Sequence, residues 1–166
     1  MNVEQVLSHP PRVLTQAQRE AYFEQGYLCV EGLIPEAKLQ HLRATTQAFI
    51  ERSREESVPG DTFDLAPIHS SDAPKIRRIK RPDEQHDAYW QFAQGTIADA
   101  AADLVGPDVV FHHSKLNFKW NDGSDEVQWH QDIQFYPHTN RHSHKEFMHI
   151  LSENSIIRIL IILRDH

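Results

Sequence analysis

The chain has 166 residues, of which 39% are hydrophobic and 25% charged, and its formal net charge is −7. This size and composition suit one globular domain, and the acidic balance argues against a nucleic-acid-binding surface. A single cysteine, no signal-peptide pattern and no apolar run of the ~20 residues that span a bilayer predict a cytoplasmic protein without disulfides or membrane contact.

The N-terminal part of the chain predicts two helices separated by a strand. Residues 1–14 have no regular pattern and indicate a loosely held lead-in. Thr15 and Gln18 have the spacing of a capping box that opens a short helix, and Gly26 suits its left-handed end. A strand is expected at 27–30, with Cys29 buried in it, and Pro35 suits the first turn of a longer second helix.

The rest of the chain changes from helical to strand periodicity. Residues 61–74 are predicted to be irregular, and the basic run 75–81 alternates with isoleucine, which favours a strand or a local anion site. A third helix is expected over about 84–105, where Gly106 and Pro107 end it. Strands are then expected at 109–120 and 127–136. Helices followed by strands predict an α+β fold.

Residues 129–138 contain an imidazole and a carboxylate two positions apart. Side chains at i and i+2 of a strand lie on the same face, so His130 and Asp132 can converge on one metal ion. They would supply two of the three ligands of the 2-His-1-carboxylate site that holds non-haem Fe(II). On spacing alone, the alternative is a solvent-facing pair hydrogen-bonded to each other.

Together with the elements before it, this pattern resembles the phytanoyl-CoA dioxygenase family over about residues 12–140. The likeness rests on residues 14–27, the turn at 32–35, the stop at 106–107, the strand at 113–119 and the run 130–137. Members of the family are Fe(II)- and 2-oxoglutarate-dependent oxygenases. The resemblance implies that the N-terminal helices pack on a partial double-stranded β-helix (jelly-roll) core.

The resemblance also implies roles for residues around the metal. His130 and Asp132 would be the first two iron ligands, and a carboxylate at the second position implies hydroxylation, because halogenating relatives carry a small residue there. Gln131 and Trp129 border this site and would help to orient the substrate.

The co-substrate, 2-oxoglutarate, would be bound by residues that precede the iron strand. His113, Lys115 and Asn117 occupy alternate positions, share one face, and offer donors suited to a dicarboxylate. Arg78 lies where family members often carry a basic co-substrate contact. A solvated strand face is the alternative for Lys115, and surface charge is the alternative for Arg78.

Residues 141–166 differ in composition, because they contain neither Ala nor Gly and are rich in Ile. We therefore divide the chain into an incomplete dioxygenase-like domain at 1–140 and a divergent tail at 141–166. The tail would be foreign or frameshifted sequence, or else a final element that closes the core. Four histidines in it lack a recognisable context for the third iron ligand: His142, His144, His149 and His166.

The expected function is hydroxylation of a small metabolite or acyl substrate, with O2, Fe(II) and 2-oxoglutarate and without nucleic-acid or membrane partners. The alternative is a truncated, non-catalytic remnant of such an oxygenase with at most weak metal binding. A weaker third interpretation is a His-rich module for divalent metals, since the chain contains 12 His. Their scatter, without paired Cys, disfavours it.

Overall fold

The computed structural model describes residues 1–111, 113–120, 147–153 and 156–162. In chain order, the helices and strands are α1 (Val3–Ser8), α2 (Gln16–Gln25), β1 (Tyr27–Glu31), α3 (Glu36–Arg52), β2 (Phe63–Leu65), β3 (Ile76–Lys80), α4 (Pro82–Gln85), α5 (Asp87–Ala93), α6 (Gly95–Val105), β4 (Lys115–Asn117), β5 (Phe147–Glu153) and β6 (Ile156–Ile162). These elements belong to two compact units. One unit holds 1–35, 94–110 and the last two strands, and the other holds 36–93 and the described part of 111–120.

The first unit combines three helices with an antiparallel sheet. Helix α2 begins at the predicted capping box, in which Thr15 and Gln18 bond each other's backbone N–H, and it ends at Gly26 with φ 78°. Strand β6 lies between β1 and β5 and pairs antiparallel with both. Leu28 and Val30 of β1 are buried, whereas Cys29 between them is exposed, so the prediction of a buried cysteine is wrong.

The lead-in at residues 1–14 is not loose, contrary to the sequence-based expectation. It contains helix α1, and the backbone N–H groups of Arg12, Val13 and Leu14 donate to the Asp103 carboxylate at 2.7, 2.9 and 2.8 Å. Arg19 is 1% exposed and donates to the carbonyls of Val6, His9 and Asp103. Asp103 and Arg19 therefore fix the N-terminal segment within its unit, because each of these backbone N–H and carbonyl groups has a charged side chain as its partner.

The second unit packs α3 and α5 on one face of the sheet β2-β3-β4. Its core contains Phe49 of α3, Tyr89 of α5, and three residues of the sheet, Phe63, Ile76 and Ile79. The Tyr89 hydroxyl is 2.8 Å from the hydroxyl of Thr46. Burial raises the pKa of Tyr89 above its ordinary value, because the phenolate would be desolvated, and the hydrogen bond to Thr46 opposes this shift.

The expected helix over 84–105 is wrong as one element, because the chain breaks twice. At His86 the backbone is extended (φ −160°), and the imidazole Nδ1 accepts the N–H of Ala88, which caps a new helix. At Gln94 the backbone is extended again, and Gly95 takes a positive φ of 60° that other residues rarely adopt.

The expected strand at 109–120 is confirmed only at Lys115–Asn117, because its pairing starts at Lys80 and Lys115, where β3 ends and Arg81 takes a positive φ of 44°. The region 61–74 is mostly irregular, as expected, but it contains β2. Helices with antiparallel sheets confirm the α+β class, while the jelly-roll core stays a prediction. No helix within the described ranges is long and apolar enough to cross a membrane.

Candidate co-substrate site

The sheet of the second unit has one apolar and one polar face. Phe63, Ile79 and Leu116 are direct neighbours across its three strands and belong to the core. The next row is Asp64, Arg78 and Asn117, which must lie on the opposite face because side chains alternate. Charged and amide groups from three separate segments therefore lie together on the face opposite the one that packs against α3 and α5.

Arg78 and Asn117 are in direct contact, although 39 residues separate them in the chain. The Arg78 Nε–H donates to Asn117 Oδ1 at 2.8 Å, and Arg78 Nη1 lies 3.7 Å from the carboxylate Oδ2 of Asp64. The guanidinium is thus flanked on two sides within its row. A fixed guanidinium fork suits the binding of a carboxylate.

A β-bulge brings this row into register. Asp64 pairs with Arg78 and Leu65 pairs with Ile76, which leaves Arg77 as an extra residue of β3. Ile76 and Ile79, three residues apart, can both be buried for this reason. The bulge therefore lets β3 keep both isoleucines on its apolar face, with Arg78 and Lys80 on the opposite face.

Two lysines extend the polar face by one row. Lys80 and Lys115 are direct cross-strand neighbours, an arrangement that is unfavourable for like charges unless an anion compensates. Lys80 Nζ donates to Asp64 Oδ1 at 2.8 Å and to the Gly60 carbonyl at 2.9 Å. We call the five residues Asp64, Arg78, Lys80, Lys115 and Asn117 the polar face.

His113 is close in the chain to Lys115 and Asn117 but lies outside the strand that holds them. It precedes β4 and lines an open cleft of about 590 Å³ together with Arg81, Asp83, Glu84, Trp90 and Phe111. Trp90 and Phe111 meet edge to face with their ring centroids 5.2 Å apart, and both are partly exposed. Lys115 and Asn117 lie in the strand and share one face. For His113 the shared face stays a prediction.

The expected metal ligands His130 and Asp132, and their neighbours Trp129 and Gln131, lie outside the described residues. Within the part of the chain that is described, no three His, Cys, Asp or Glu side chains are grouped so that they could hold a metal ion. The described geometry therefore bears on the residues predicted to contact 2-oxoglutarate, and not on the predicted iron ligands.

The comparisons with known proteins identify the family. The model of the family described as phytanoyl-CoA dioxygenase (PhyH) matches residues 22–165. The chain belongs to this family. The match runs beyond residue 140, where the motif-based likeness ends, and the division of the chain at that residue stays a prediction.

Curated relatives of the family carry different substrates in their names. The chain is 27% identical over 129 residues to a probable alpha-ketoglutarate-dependent hypophosphite dioxygenase of Stutzerimonas stutzeri, covering 77% of this chain and 44% of that protein. It is 28% identical over 134 residues to the peroxisomal phytanoyl-CoA dioxygenase of Homo sapiens (75% and 39%). It is 25% identical over 128 residues to an ectoine dioxygenase of Streptomyces avermitilis (75% and 40%). The chain spans less than half the length of these relatives.

Sequence reasoning assigned no roles to Asp64 and Ser114. Asp64 contacts Arg78 and Lys80, and Ser114 contacts Asp83, which lines the cleft. Asp64 lies in a region expected to be irregular, and only the pairing of β2 with β3 shows that it faces Arg78. The Ser114 hydroxyl donates to Asp83 and accepts its backbone N–H at 3.4 Å, which ties the start of β4 to α4. The alternation of polar and apolar residues over 62–65 was the signal in the sequence that could have indicated Asp64.

Proposed function

We propose that this chain supplies the first iron ligands and the co-substrate contacts of an Fe(II)- and 2-oxoglutarate-dependent dioxygenase. The reaction would use O2 to hydroxylate a small metabolite or acyl substrate. Membership of the family supports the kind of reaction. The observation that carries the co-substrate part is the hydrogen bond between Arg78 and Asn117, two residues that the family resemblance predicts to contact 2-oxoglutarate.

The chemistry of the polar face fits a dicarboxylate. Arg78 would bind a carboxylate of 2-oxoglutarate through its guanidinium, which Asn117 holds in orientation by accepting its Nε–H. Lys115, exposed in the adjacent row, would add a second positive charge. His113, which precedes β4 and also lines the cleft, would add an imidazole donor to this group.

His130 and Asp132 would hold the iron, since an imidazole and a carboxylate are ligands that Fe(II) takes in this class of site. When bound, the iron supplies O2 activation coupled to the decarboxylation of 2-oxoglutarate to succinate. The carboxylate of Asp132 favours hydroxylation over halogenation. Gln131 and Trp129 would orient the substrate beside the metal. The relatives' names refer to a phosphorus oxyanion, an acyl thioester and a cyclic amino acid. The proposal therefore names a class of substrate, a small metabolite or acyl compound, and no single compound.

Succinate release from 2-oxoglutarate tests the proposal directly. The purified chain is incubated with Fe(II), ascorbate and 2-oxoglutarate, and succinate is measured with Asp132→Ala as the variant and Asp87→Asn, exposed in α5, as the control. We expect uncoupled succinate release that Asp132→Ala abolishes and the control retains. Absence of both turnover and metal-dependent 2-oxoglutarate binding would contradict the proposal. Binding without turnover would favour the non-catalytic alternative.

A further inference from the structure

One carboxylate lies among the cations of the polar face, and no motif assigns it a role. Asp64 is less exposed than the two cations that it contacts, with 29% of its side chain exposed against 40% for Arg78 and 36% for Lys80. It accepts from Lys80 at 2.8 Å and lies 3.7 Å from Arg78. It is therefore the internal counter-ion of this face.

Arg78 and Lys80 differ in how closely they contact Asp64. The Lys80 ammonium is tethered at short distance by Asp64 and by the Gly60 carbonyl. The Arg78 guanidinium is held in orientation mainly by a neutral amide, that of Asn117, and is farther from Asp64. An incoming anion would therefore meet Arg78 and Lys115, while Lys80 remains with Asp64.

We propose that Asp64 is a specificity-determining residue that sets how many negative charges the polar face accepts. The five residues of the polar face carry three cations and one carboxylate, an excess of two positive charges. The inference rests on the proposed co-substrate role of this face. Asp64 acts through repulsion, and repulsion grows in proportion to the charge of the ligand.

Titration with three carboxylates of increasing charge tests this role: butyrate, glutarate and propane-1,2,3-tricarboxylate. None has a 2-oxo group, so their binding does not depend on iron. Affinities are measured at low salt from the side-chain amide resonance of Asn117 in the full chain. Because exposed charge pairs contribute about 0.2–1 kcal/mol, Asp64→Asn should tighten binding by about one-and-a-half- to fivefold per ligand charge. The largest gain is expected for the tricarboxylate and the smallest for butyrate.

Two variants control for structural effects. Asp64→Glu keeps the charge and should keep the wild-type order of affinities, and Asp87→Asn removes the same charge from an exposed position of α5. High salt should reduce the gain in Asp64→Asn, because salt screens exposed charges. A gain that is equal for all three ligands, or that Asp87→Asn reproduces, would overturn the inference.

Arg78→Met separates the inference from the proposal on which it rests. If Arg78→Met leaves glutarate binding unchanged, the polar face is not the co-substrate site and the proposed function fails there. If Arg78→Met removes binding while Asp64→Asn produces no charge-dependent gain, only the role of Asp64 is refuted.

Discussion

Replacing Asp103 should destabilise the first unit more than any surface substitution in it. The Asp103 side chain accepts three backbone N–H groups from residues 12–14, and Asp103 itself is 2% exposed. Asp103→Ala leaves the buried N–H of Leu14 without its partner, while water can reach the N–H groups of Arg12 and Val13. With about 1.5–3 kcal/mol for the bond from Leu14 and about 1 kcal/mol for each of the bonds from Arg12 and Val13, we expect a loss of about 3.5–5 kcal/mol.

Urea denaturation followed by circular dichroism measures this loss, and hydrogen exchange localises it to the amides of residues 12–14. Asp99→Ala is the matched control, because Asp99 lies one turn earlier on α6 and forms an exposed ion pair with Arg12 at 3.2 Å. It should cost less than about 1 kcal/mol. Equal losses of unfolding free energy in the two variants would refute the conclusion that Asp103 holds the N-terminal segment in place. An unchanged rate of amide hydrogen exchange at residue 14 in Asp103→Ala would refute it as well.

Three further changes have defined outcomes. Arg19→Met should cost about 3–5 kcal/mol of unfolding free energy, measured in urea, because carbonyls of α1 and α6 lose a buried guanidinium; a loss below 1 kcal/mol would contradict this. Tyr89 has a folded-state pKa above its unfolded value, so its stabilising effect is complete below about pH 10 and is lost as pH rises through the folded pKa. The unfolding free energy of Tyr89→Phe should accordingly fall less than that of wild type between pH 9 and 11. Parallel plots of unfolding free energy against pH for the two proteins would contradict a raised pKa of Tyr89. Asn117→Ala should weaken 2-oxoglutarate binding about three- to tenfold by calorimetry, since Arg78 loses its orienting acceptor; unchanged affinity would show that Arg78 needs no such partner.

Local signals in the sequence predicted the elements whose causes are local. The capping box of Thr15 and Gln18, the left-handed Gly26 and the basic run that became β3 depend on neighbours a few residues away, and all three are confirmed. The break at His86 also has a local cause, but an imidazole that caps the following helix has no common sequence signature.

Long-range partners explain what the sequence did not show. The bond from Arg12 to Asp103 joins residues 91 apart, so neither end carries a pattern that points to the other. The polar face is an intermediate case. Alternation placed Lys115 and Asn117 on one face, whereas the contacts of Arg78 with Asn117 and with Asp64 depend on strand register and on a bulge at Arg77. The role of His113 stays a prediction, because the strand begins after it.

Calorimetric titration of 2-oxoglutarate into the Mn(II)-loaded chain tests the central claim most directly. Arg78→Met is compared with Arg43→Met, in which the lost guanidinium forms an exposed pair with Glu36 on α3. Loss of a charge-assisted contact of about 1.5–3 kcal/mol should weaken binding about 10- to 100-fold in Arg78→Met and leave Arg43→Met at the wild-type affinity. Equal dissociation constants for the two variants would contradict the assignment of the polar face as the co-substrate site.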